Sequence, residues 1–128
     1  MSIPQSGGGQ IENMNQLSEY LESGCKLTKD WRIGTEHEKF GFDKSTLKPL
    51  PYEGSCSIKS MLEGLRDTFD WTPVYEQDNL IGLEKNGANV SLEPGGQLEL
   101  SGAPLESIHQ TCDEANLHLK EVKQIDDK

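Results

Sequence analysis

Two acidic segments with alternating side chains carry the chemistry legible in this sequence: Arg32-Ile-Gly-Thr-Glu-His-Glu-Lys-Phe-Gly-Phe42 and Ser91-Leu-Glu-Pro-Gly-Gly-Gln-Leu-Glu-Leu-Ser-Gly102. In an extended strand, residues two apart share a face. Glu36 and Glu38 then point the same way, with Phe40 and Phe42 continuing that face, while Gln97, Glu99 and Ser101 share a face that Leu98 and Leu100 do not. Carboxylates gathered on one surface repel one another unless a cation sits between them, and hard oxygen donors suit Mg²⁺. The chemistry this pattern suggests is that of a Mg²⁺-nucleotide site.

The segments need elements to hold them. Asn15 is placed to cap a short helix carrying Leu17, Tyr20 and Leu21 and stopping at Gly24. A second helix is predicted over Ser57 to Phe69, with Ile58, Met61, Leu62, Leu65 and Phe69 on one side and Gly64 as a weak point. Leu80 to Lys85 and Ala88 to Glu93 flank Asn86-Gly87, a hairpin signal because both central residues must reach positive φ. Pro94-Gly95-Gly96 then turns the chain into Gln97 to Ser101, which extends the meander. Pro104 opens a long helix with the stripe Leu105, Ile108, Cys112, Ala115, Leu119 and Val122. The sum is an α+β fold, an antiparallel sheet with helices on one face and carboxylates on the other.

The chain has 128 residues, enough for one modest core, and its 22 acidic against 12 basic residues give a net charge of −10. That balance argues against a nucleic-acid backbone or an anionic membrane surface as partner. Cys25, Cys56 and Cys112 have neither zinc spacing nor an even count, so reduced thiols are expected. The first ten residues show no basic, apolar or Arg-rich targeting pattern, and no apolar run reaches the length of a membrane span. A soluble, cytoplasmic protein is the expectation, with residues 1–14 as a flexible leader.

Ile33 to Phe42, Ile81-Gly-Leu83, Ser91 to Glu106 and His109-Gln-Thr-Cys112 closely resemble the N-terminal part of glutamate–cysteine ligase, of the type shared by plants and proteobacteria. The resemblance runs from about Met14 to Ile125. It implies that residues 15–128 are the N-terminal portion of a catalytic domain with the glutamine-synthetase-like carboxylate-amine ligase fold, whose sheet bends into an acidic-walled funnel. It further implies use of ATP and Mg²⁺ to phosphorylate the γ-carboxylate of L-glutamate. The amine of L-cysteine then displaces phosphate, the first step of glutathione synthesis.

Carried over by position, the resemblance makes Glu36 and Glu38 catalytic, and Glu38, Glu93 and Glu99 the metal ligands. Gly95 and Gly96, as cofactor-binding positions, would let the backbone approach a ligand closely, and Gln97 and Ser101 would contact the substrate amino acid. Members of the family are several times longer. The nucleotide pocket and its basic residues are expected in a further chain portion, and no Walker-type Gly-Lys loop replaces them here. A second class of function follows from the open sheet face: a non-catalytic subunit or regulatory module pairing with a longer ligase chain.

Blander roles stand beside these. On spacing alone Glu36 and Glu38 are solvated strand residues, and Glu93 is as well explained as a turn acid bonding local N–H groups. His37, opposite the acids, is expected packed or solvent-facing. His118 falls outside the apolar stripe, and Cys112 on it is expected in the core.

Overall fold

A computed structural model describes residues 9–126; most of the expected leader, residues 1–8, and the end of the acidic tail lie outside them. Along the chain come α1 (Met14–Ser23), a single 3₁₀ turn (Thr28–Asp30), β1 (Glu36–Phe40), α2 (Ile58–Phe69) and β2 (Thr72–Glu76). β3 (Asn79–Lys85), β4 (Ala88–Glu93), β5 (Gln97–Ser101) and α3 (Ile108–Asp126) complete it. The five strands form one antiparallel sheet in the order β1-β5-β4-β3-β2. The α+β expectation holds.

The meander follows from its turns. Asn86 and Gly87 both adopt positive φ, 52° and 85°, the backbone that matches the twist of the flanking strands. Asn86→Val should lower stability by about 1–2 kcal/mol, because a β-branched side chain clashes at positive φ. An unchanged urea midpoint would contradict this. β2 carries no comparable signal: Pro73 argues against a strand, and its turn to β3 uses Gln77 at φ 54° without a glycine. Position at the sheet edge resolves the conflict, since an edge strand can spare one N–H.

β1 arrives from far along the chain and adds to the free side of β5. Residues 32–35 are fastened to 102–106 by the Ile33–Leu105 bridge, by Gly102 N–H donating to the Thr35 carbonyl at 2.6 Å and by the Arg32–Glu106 ion pair at 3.3 Å. These contacts set the register in which Glu38 faces Glu99.

The core lies between α2, α3 and the leucine face of the sheet. Ile58, Leu62 and Leu65 of α2 are buried with Leu83, Val90, Leu98 and Leu100, so the α2 stripe is as read. Ser57 caps this helix by accepting the Ser60 N–H, and the Ser60 hydroxyl returns the favour to the Ser57 N–H. Gly64 has a packing reason: a Cβ there would sit 2.6 Å from Ile125 of α3.

Two helices depart from their expected faces. α1 is capped by Asn13 instead of Asn15, and it buries none of its residues, leaving Leu17, Tyr20 and Leu21 exposed. α3 starts at Ile108, four residues after Pro104, and is rotated from the predicted stripe. Thr111, His118 and Glu121 are buried, whereas Ile108, Cys112 and Leu119 are exposed, so Cys112 is not core and His118 is. The cause is polar: Trp71 buries its indole, whose N–H donates to Glu121 Oε2 at 3.1 Å, so that acid must face inward.

Candidate functional site

Strand pairing decides which side chains share the helix-free face. Glu36 lies opposite Ser101, Glu38 opposite Glu99 and Phe40 opposite Gln97. On the other side of β5, Ser91 lies opposite Glu99 and Glu93 opposite Gln97, so Glu93 is diagonal to Glu99. All the acids and polar residues expected from the sequence therefore occupy one face across β1, β5 and β4. Leu98, Leu100, Val90 and Leu83 take the opposite face, together with His37 and Lys39.

Burial is uneven across this face. Glu36 and Glu38 on the edge strand are exposed, while Glu99 on β5 is 5% exposed, flanked by β1 and β4. A buried carboxylate needs donors, and the buried Ser101 hydroxyl donates to Glu99 Oε1 at 2.7 Å. Ser91 does the same for Glu93 Oε1 at 2.9 Å. Each inner carboxylate is thus oriented by a serine two residues away on its own strand. Behind β1, burial pulls the Lys39 ammonium down to about 8, against the raising effect of Glu38.

Sequence reasoning passed over Ser91 and Asn89. Both share the face of Glu93, and Asn89 Oδ1 is buried without a hydrogen-bond partner. The signal was available: Asn89, Ser91 and Glu93 alternate with Ala88, Val90 and Leu92 as plainly as in β5.

Gly95 and Gly96 both take φ of 80°, and a Cβ at either would meet nothing within 4 Å. Backbone conformation is what requires glycine here, and the open space leaves the turn approachable. Either Gly→Ala substitution should cost about 1 kcal/mol through left-handed strain alone. A Tm unchanged in both variants would contradict that.

The donors are all oxygen and fit a hard cation in kind. Among the described residues, however, no three His, Cys, Asp or Glu side chains stand close enough to hold a metal ion. Glu38 and Glu99 face each other, and Glu93 stands one strand further on.

The sequence profile of glutamate-cysteine ligase family 2 matches residues 32–128. The chain is 55% identical over 109 residues to glutamate–cysteine ligase B, chloroplastic, of Oryza sativa subsp. japonica, covering 85% of this chain and 21% of that protein. It is 56% identical over 109 residues to the chloroplastic enzyme of Medicago truncatula and 57% to that of Nicotiana tabacum, covering 85% of this chain and 21% and 20% of theirs. It spans about a fifth of the length of these relatives. All three are chloroplastic by name, which overturns the expectation of a cytoplasmic protein; the composition of the first ten residues speaks for those residues only. With three-quarters of its length matched by one profile, the chain belongs to glutamate-cysteine ligase family 2.

Proposed function

We propose that this chain forms the acidic wall of an ATP- and Mg²⁺-dependent ligase site that joins the γ-carboxylate of L-glutamate to the amine of L-cysteine, in a plastid. The observation that carries the reading is the register that sets Glu38 against Glu99, with Glu93 diagonal to it, on the face left bare by the helices. The same face is the inner wall of the funnel in the glutamine-synthetase-like carboxylate-amine ligase fold that the family implies.

Glu38, Glu93 and Glu99 do not converge on one point here, so each would reach Mg²⁺ only by moving towards the ion, with its remaining ligands supplied from outside these three. When bound, the ion neutralises charge between nucleotide phosphate and acceptor carboxylate. The chain's own residues do the positioning. Ser101 and Ser91 each donate to one oxygen of an inner carboxylate and so limit its rotation. Gln97, half-buried beside Glu93, and Ser101 are placed to meet the substrate amino acid. Glu36 lines the same face at its outer edge. The Gly96 N–H is spent on the Glu93 carbonyl at 3.1 Å, and what the open turn at Gly95-Gly96 offers the nucleotide is close approach to the backbone.

A second reading is favoured by the apolar side chains left on the surface, among them Tyr20, Trp31, Phe40 and Phe42. On it the chain is a non-catalytic module that pairs with a longer ligase chain. The two are separated by assaying γ-glutamylcysteine and ADP from glutamate, cysteine and MgATP, with the chain alone and mixed with a longer family member. Product that falls on the order of a hundredfold in Glu99→Gln supports the first reading. Product from the mixture that ignores Glu99→Gln supports the second, and no effect of the chain under either condition contradicts both.

A further inference from the structure

Gly102 is a glycine for want of space. Its φ lies outside the left-handed region, yet a Cβ there would collide with Glu114 Oε2 and stand 2.6 Å from the Thr35 hydroxyl oxygen. Three elements meet at this point. Gly102 follows β5, Thr35 leads into β1 on the helix side, two residues before His37, and Glu114 reaches across from α3. The Gly102 N–H donates to the Thr35 carbonyl at 2.6 Å, and the Ala103 N–H donates to Glu114 Oε1 at 2.9 Å.

Two oxygens at the junction are left over. Glu114 Oε2 and Thr35 Oγ1 are both withdrawn from water without a hydrogen-bond partner, although both lie within 2.6 Å of the one point that a Gly102 Cβ would occupy. A buried carboxylate oxygen lacks a donor and a buried hydroxyl lacks an acceptor, so each is what the other needs. The hydroxyl proton rotates to suit an acceptor, and closing the pair asks only for a small shift of either side chain.

The junction lies where the acidic face is hardest to hold. β1 is an edge strand, tied to the sheet through β5 alone, and its Glu38 stands opposite Glu99. Like charges facing each other across two strands push the strands apart. We propose that the Thr35 hydroxyl donates to Glu114 Oε2, and that this pair is a latch fastening the entry of β1 to β5 and α3 so that Glu38 stays against Glu99. Thr35 and Glu114 are then positioning residues, since neither stands on the acidic face. Their part in metal binding rests on reading that face as a ligase site; the hydrogen bond between them does not.

The test compares Thr35→Val, which keeps the shape and removes the hydroxyl, with Thr35→Ser, which keeps the hydroxyl. Hydrogen exchange is followed at the Gly102 N–H, which is bonded to the Thr35 carbonyl, and at the amides of β2 on the opposite edge of the sheet. In Thr35→Val the Gly102 N–H should exchange about tenfold faster and the β2 amides should change by about twofold or less. Mn²⁺ binding, followed by loss of the free-ion electron paramagnetic resonance signal, should weaken about threefold or more in the same variant. Thr35→Ser should match the parent in both. Exchange at Gly102 that is unchanged in Thr35→Val, or equally fast in Thr35→Ser, overturns the latch. Faster exchange with unchanged Mn²⁺ affinity overturns its positioning role. Faster exchange in a chain whose parent binds no Mn²⁺ upholds the latch and overturns the ligase reading instead.

Discussion

Leu62→Ala should lower the unfolding free energy by about 3–5 kcal/mol, read as a lower urea midpoint with an unchanged slope. Leu62 is fully buried, one turn from Ile58 and flanked by Leu65, at the place where α2 seats on the leucine face of the sheet. Truncation removes its transfer free energy and leaves a cavity that Leu83, Val90 and Leu100 on strands, held by ladder hydrogen bonds, cannot collapse to fill. A small domain has only about 5–15 kcal/mol in total, so the variant should be near the edge of folding. Leu17→Ala on α1, which buries nothing, is the matched control and should change stability by about 0.5 kcal/mol or less. Similar losses in the two variants would mean that α2 is not the helix that closes the core.

Acid should destabilise the fold through His118. Its folded-state value lies near 3, below the ordinary 6.5, so between those limits the unfolded chain binds a proton that the folded chain refuses. Stability contributed by the neutral ring is present in full above pH 6.5 and is lost as pH falls towards 3. At about 1.4 kcal/mol per pH unit the loss approaches several kcal/mol at the low end. Groups of both charges face the ring. His37 and Lys39 come from β1, Lys85 from β3 and Trp71 from the chain between α2 and β2, while Glu114 and Glu121 flank it on α3. Burial dominates over all of them. His118→Leu, matched in shape and unable to titrate, should show a shallower fall between pH 6.5 and 4 than the parent chain. Parallel acid limbs would show that His118 is solvated in the folded state.

The sheet was largely legible because its signals are local. Asn86-Gly87 and the Pro94-Gly95-Gly96 turn register β3, β4 and β5 by themselves, and period-two alternation in β5 and β1 assigns Glu99, Glu36 and Glu38 to a face. β2 was not, since its strand character comes from the edge it occupies and not from its residues. The face of α3 was misread for a related reason. An apolar stripe is a sound guide only when the partner surface is apolar, and here the partner includes the Trp71 indole N–H and the inward-facing His37 and Lys39. Polar residues on α3 answered them, and Ile108, Cys112 and Leu119 were turned outward. That the acids share one face was legible in the sequence, but the serines hydrogen-bonded to two of them came only from pairing and hydrogen bonds.

The acidic wall is tested most directly by Mn²⁺ binding, followed by the loss of the free-ion electron paramagnetic resonance signal. The parent chain is compared with Glu38→Gln, Glu93→Gln, Glu99→Gln and, as control, Glu84→Gln, an exposed acid on the same face two strands from β5. The account predicts binding weakened about tenfold or more in each of the first three and unchanged in the control. Equal affinity in all five chains would contradict it, because the charge of the face and not these three carboxylates would then be what attracts the ion.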